Sequence, residues 1–233
     1  MKSILIWLLF CLTAAGAVAQ SIPNGVYLQR NGGGSLVISA GSKFVLHTDG
    51  ANGHVCDADG VIKNGVAKTD QGCLVDFKFK NDQLAVTPSQ TTYEQCRNHC
   101  GNRASFAGDY VIPPAICTQS KSNTREFTKS YAAKDYLAAQ KTVSQFIVSC
   151  GALMRWSDLA DKRNDLAITE FHLGNAAACL SALEPLREPY INIALDGDSF
   201  GGEPVYQELA IAIAKKSQFN WKKCGGKINP PAK

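Results

Sequence analysis

The sequence predicts an α+β protein, with a small antiparallel β-barrel or sandwich on the N-terminal side and a helical-hairpin domain after it. Three observations carry that prediction. Residues 22–115 run in short alternating segments broken by Gly, Asn and Asp, the period-two pattern of half-buried strands. Beyond Pro113-Pro114 the chain becomes rich in Ala and Leu at helical spacing. Eight cysteines divide four and four across that change: Cys56, Cys73, Cys96 and Cys100, then Cys117, Cys150, Cys179 and Cys224.

The first residues suit export. Lys2 precedes the uniformly apolar run Ile4-Leu5-Ile6-Trp7-Leu8-Leu9-Phe10-Cys11-Leu12, and small residues lead to Ala17-Val18-Ala19 before Gln20. This is the pattern of a signal peptide over 1–19, too short in its apolar part to span a bilayer. Cleavage removes 19 of 233 residues, leaving 214, and the loss of Lys2 lowers the net charge from +4 to +3. A periplasmic or secreted chain follows, without membrane insertion. In an oxidising compartment eight cysteines read as four disulfides. If each half pairs internally, nine connectivities remain, three for each set of four cysteines. The expected division is 20–115 for a disulfide-stapled β domain and 116–233 for an α-helical one. Charge points away from nucleic acid: the cluster Lys215-Lys216, Lys222-Lys223 and Lys227 reads as a solvated helix end.

In the β half, residues 26–29 lead into Asn31-Gly32-Gly33-Gly34 and 35–39 lead out, a hairpin signal. Residues 43–47 form a further strand ended by Asp49-Gly50. Val61-Ile62-Lys63-Asn64-Gly65-Val66 contains Asn-Gly, a strong short hairpin signal. In 73–80, Cys73, Val75, Phe77 and Phe79 share one face, and Asp76, Lys78 and Lys80 share the other with Leu74. Asn81-Asp82 turns the chain into Leu84-Ala85-Val86. Few large apolar residues are left to fill the core, so disulfides supplement it. Cys96-Arg97-Asn98-His99-Cys100 is expected as a helical turn stapled back onto the strands carrying Cys56 and Cys73.

The helical half contains an echo at forty residues. Tyr131-Ala132-Ala133-Lys134-Asp135-Tyr136-Leu137-Ala138-Ala139 is matched by Phe171-His172-Leu173-Gly174-Asn175-Ala176-Ala177-Ala178-Cys179, and Val143 and Phe146 by Leu183 and Leu186. Each copy reads as a helix ending in an aromatic residue, a tight turn, and a helix opening on small residues that permit close packing. A last amphipathic helix over 203–217 places Val205, Leu209, Ala212 and Ile213 on its apolar side. Cys117 and Cys224 are placed to tie the ends.

The second copy resembles a tetratricopeptide (TPR) repeat, with Leu166, Ala167, Phe171, Gly174, Asn175 and Cys179 at that family's positions; Tyr131, Lys134, Asp135, Tyr136 and Ala139 match in the first. The spacing is forty residues, Lys134 replaces the turn Gly, and the family Trp is absent. The resemblance covers roughly residues 122–190 and implies a concave groove on which Asp161, Asn164, Ile168 and His172 bind a ligand. The disulfide-bonded β domain behind a signal peptide is similar in outline to periplasmic lysozyme inhibitors. The two-domain layout looks like uncharacterised exported proteins of Gram-negative bacteria.

No motif supports catalysis. Gly197-Asp198-Ser199-Phe200-Gly201-Gly202 is interrupted by Phe200 for a trypsin-like site, and no His follows Ser199 to serve as base. Cys96, His99 and Cys100 have spacing that suits zinc, but export favours disulfides. Asp158, Asp161, Asp165 and Glu170, interleaved with Lys162 and Arg163, read as a solvated helix face, and His47, His54 and His172 as isolated. The expectation is a non-enzymatic, protein- or peptide-binding protein of the cell envelope, without metal or cofactor. The alternative is an exported hydrolase of cell-wall or polymer substrates, which requires convergent carboxylates, or a carboxylate with a histidine, in a pocket.

Overall fold

Alternation in the first half closes on itself. The computed structural model describes residues 21–50, 53–195 and 204–228; residues 1–20 and the Gly197–Gly202 segment with Ser199 lie outside them. Eight antiparallel strands form a closed barrel in chain order: β1 (Gly25–Gln29), β2 (Gly34–Ser39), β3 (Lys43–Asp49), β4 (Val55–Lys63), β5 (Val66–Lys68), β6 (Leu74–Lys80), β7 (Gln83–Pro88) and β8 (Gly108–Val111), with β8 returning to β1. The sandwich alternative is excluded by that closure. The Asn64-Gly65 and Asn81-Asp82 turns join Lys63 to Val66 and Lys80 to Gln83 with positive φ at both central residues, the hand that matches strand twist.

Inward residues alternate as expected on β6, where Val75 is fully buried and Phe77 nearly so, in phase with the fully buried Cys73 just before the strand. The core is fuller than composition suggests. Tyr27, within the 26–29 run, and Phe106 and Tyr110, outside the expected strands, turn inward and are essentially inaccessible. Both phenols find acceptors, Pro23 O at 2.7 Å and Phe106 O at 2.9 Å, so their burial leaves no polar group unmet. Burial raises both hydroxyl pKa values. The short helix α1 (Tyr93–Arg97) carries Cys96 onto Cys73, and Cys100 joins Cys56.

The second half contains α2 (Ala115–Thr118), α3 (Ser120–Ala132), α4 (Tyr136–Cys150), α5 (Trp156–His172), α6 (Ala176–Leu183) and α7 (Pro204–Lys223). The forty-residue echo is a backbone echo. Lys134 N–H bonds Tyr131 O and Asp135 N–H bonds Ser130 O; forty residues on, Gly174 bonds Phe171 and Asn175 bonds Glu170, all at 2.9–3.0 Å. Lys134 and Gly174 occupy the same left-handed region, φ 60° and 78°. The matched pairs Ala139 and Cys179, Val143 and Leu183, Phe146 and Leu186 are all buried. Disulfides Cys117–Cys150 and Cys179–Cys224 brace α2 to α4 and α6 to the end of α7. Pairing is thus internal to each half.

α7 sits in a different register from the expected one. Its buried stripe is Ala210, Ile213, Ala214, Ser217, Asn220 and Trp221, whereas Leu209 and Ala212 face outward. Two polar residues complete that stripe, which a hydrophobic pattern cannot anticipate. The halves meet where β1 turns a partly buried Leu28 outward against Cys117, Phe146 and Cys150. There the β1–β2 turn touches the chain before α5: Asn31 N–H bonds Ala152 O at 2.9 Å. A Cβ on Gly32 would fall 2.2 Å from Arg155 N.

Candidate functional site

Docking of the barrel on the first helical hairpin leaves a cleft of about 670 Å³. Its existence follows from the local sequence. Because Tyr27 points into the barrel, Val26 and Leu28 point out and form one wall. Pro113-Pro114 sends the chain off the sheet, and the Cys117–Cys150 disulfide pins α2 beside the end of α4. Phe146, Leu153 and Met154 continue the apolar floor. Thr118, Ser120 and Thr124 supply hydroxyls, and Arg155, Asp158, Asp161 and Lys162 form a charged rim.

The rim is organised by α7. Lys216 Nζ lies 3.0 Å from Asp161 and 3.3 Å from Asp165, and Lys162 lies 3.5 Å from Asp165. Burial works against the Lys216 charge, but Asp165 and Asp161 outweigh it and raise its pKa. Asp158 at the cleft mouth has no ion-pair partner among the described residues.

The four expected groove residues separate. Asp161 lines the cleft. Asn164 is fully buried: its Nδ2 donates to Ala160 O at 3.0 Å and Ser217 Oγ at 2.9 Å, and its Oδ1 accepts from Asn220 Nδ2 at 2.9 Å. It joins α5 to α7 and presents nothing to a ligand. Ile168 is half-buried. His172, eleven residues or roughly 16 Å along the helix from Asp161, stacks on Tyr136 at 4.6 Å with Tyr131 at its edge, 5.8 Å away. Burial raises the Tyr131 phenol, with Tyr136 and Asp165 adding to it.

Other expectations change as well. Glu170 is buried rather than solvated, accepting from Gln140 at 3.1 Å and Asn175 at 3.0 Å. His99 bonds Thr69 Oγ1 at 2.7 Å and Asp57 O at 3.1 Å, beside cysteines already in disulfides. No group of three metal-binding side chains occurs among the described residues. His47 is not isolated: its Nδ1 lies 2.7 Å from Asp57 and its Nε2 3.4 Å from Asp49. The bond to Asp57 raises its pKa, against a smaller opposing effect of burial, and Asp49 contributes further. Asp49 in turn pairs with Arg155, linking barrel to helices.

Arg155 and Lys216 escape sequence reading because their partners are remote in the chain. Alternation alone puts His47 and Asp57 on the outer face, but pairing them needs the β3–β4 register, in which they lie opposite each other. No protein-family model, curated protein or solved structure matches this chain. No described helix is long and apolar enough to cross a membrane.

Proposed function

We propose that this is an exported, non-enzymatic protein of the cell envelope, adaptor- or inhibitor-like, which binds a segment of a protein partner in the cleft between barrel and helices. The cleft carries this reading: an apolar floor, three hydroxyls and a mixed-charge rim are recognition chemistry for a peptide. The shared turn geometry of the two hairpins supports a TPR-like scaffold, and four disulfides fit an oxidising compartment.

A photo-crosslinking residue at Thr124, inside the cleft, is expected to capture a discrete partner. The same residue at Val148, 86% exposed on α4, is expected not to. Equal capture from both positions would remove the cleft from the argument.

A second reading, hydrolysis of cell-wall or other polymers, draws on Asp158 and Asp161, two carboxylates one helical turn apart on the cleft wall. Release of soluble fragments from dye-labelled cell wall, lost in Asp158→Asn and Asp161→Asn, would select it instead.

A further inference from the structure

Arg155 is the wall between two cavities. Opposite the cleft, the β1–β2 turn, the end of β3 and the starts of α5 and α7 enclose a second pocket of about 320 Å³, with Asn31, Asp49, Arg155, Trp156, Ser157 and Tyr206 around it. We propose that this pocket is a carbohydrate site that takes one pyranose ring of a neutral oligosaccharide. The inference is independent of what the cleft binds.

A pyranose has an apolar face of C–H bonds and a rim of hydroxyls that both donate and accept. The pocket offers both complements. The indole of Trp156 is 38% exposed, a large flat surface for the C–H face. It is held near-parallel to Tyr190 at 6.0 Å and edge-on to Tyr206 at 6.1 Å. Stacking a ring on a platform already fixed costs little further ordering.

The polar tips around that platform are unengaged. The Asn31 side-chain amide, the Ser157 hydroxyl, the Trp156 N–H and the Tyr206 hydroxyl have no hydrogen-bond partner among the described residues. Together they supply donors and acceptors in the mixture that sugar hydroxyls require.

Charge selects a neutral ligand. Asp49 and Arg155 pair with each other, and Asp49 also lies 3.4 Å from His47 Nε2, so no net charge is left to attract an ion. The paired carboxylate and guanidinium keep lone pairs and N–H groups beyond those the pair uses, and each can meet a sugar hydroxyl. The volume sits at the small end of ligand pockets, roughly 300–1,000 Å³, which suits one ring of a longer chain. Leu209, 39% exposed at the edge, can cover an acetamido methyl if the sugar carries one.

The full-length protein is titrated with chitotetraose, cellotetraose and maltotetraose, followed by saturation-transfer NMR and by tryptophan fluorescence. The chain has three tryptophans; Trp7 lies outside the described residues, and Trp221 is buried with its N–H on Lys227 O. A fluorescence response is assigned to Trp156 when it is lost in Trp156→Phe, whose binding is then followed by saturation-transfer NMR. Saturable binding with a Kd of about 1 mM or tighter is expected for at least one sugar, a strength that a shallow single-ring site can reach. Trp156→Ala should weaken it at least tenfold, and Trp156→Phe, which keeps a stacking surface, should recover part. Tyr206→Phe, a change of one hydroxyl, provides a second variant that preserves packing. A response to chitotetraose alone supports the site and assigns it to acetylated amino sugars; a response to all three supports recognition of the ring. The proposal is overturned if none of the sugars gives saturable binding to about 20 mM, or if the folded Trp156→Ala protein binds like the parent.

Discussion

Replacing Asn164 with alanine removes the centre of a buried polar knot between α5 and α7. Asn164 and Ser217 are fully inaccessible and Asn220 nearly so. The substitution deletes the 2.9 Å bonds to Ser217 Oγ and from Asn220 Nδ2, and both partners stay buried. An orphaned buried polar group costs about 1–3 kcal/mol. Ser217 Oγ loses its partner, whereas Asn220 Nδ2 keeps a 3.5 Å bond to Asn164 O; with water entering the vacated space, the expected loss is about 1–3 kcal/mol. Guanidinium unfolding with disulfides intact, followed by Trp221 fluorescence in the same core, measures it. Because Asn164 and Asn220 share a bond, Asn164→Ala with Asn220→Ala should lose less than the sum of the single losses, by about 1 kcal/mol. Cross-linking from Thr124 should be unaltered, since Asn164 reaches no surface. A loss below about 0.5 kcal/mol, additive behaviour in the pair, or a selective effect on partner capture would refute the structural role.

Gly32→Ala forces a side chain into the left-handed region, φ 73°, and against the backbone of Arg155. Gly41→Ala meets the same backbone penalty, φ 77°, in open space and should cost about 1–2 kcal/mol. Thermal unfolding should show Gly32→Ala costing clearly more than Gly41→Ala; equal losses would mean that the contact between turn and α5 contributes nothing. His47, with a raised folded pKa, stabilises fully below its unfolded value near about 6.5, and that contribution disappears as pH rises through the folded pKa. The stability gap between parent and His47→Gln should therefore shrink from pH 5.5 to 8.5, and a pH-independent gap would discount the pairing with Asp57 and Asp49.

Much of the architecture was legible, for local reasons. Asn64-Gly65 demands positive φ and folds as a two-residue turn, and the alternation of Val75 and Phe77 fixes which face of β6 is inside. The forty-residue echo also survives, since Lys134 and Gly174 close the same turn. What failed were inferences about helix faces. Hydrophobicity places Leu209 inward, but α7 rotates to bury Ser217 and Asn220, which Asn164 satisfies from α5. Periodicity treats a polar residue as outward unless its partner is known, and these partners lie over fifty residues apart.

The α+β order, the hairpin turns, the inner face of β6 and the internal echo follow from local pattern, because each depends on backbone preferences within a few residues. Tertiary structure decided barrel over sandwich, the disulfide partners, the burial of Asn164 and the two cavities flanking Arg155. Those features are set by pairs such as His47 with Asp57, Asp49 with Arg155, and Leu28 with Phe146, and only closure of the barrel and docking of α4 and α5 bring them within reach.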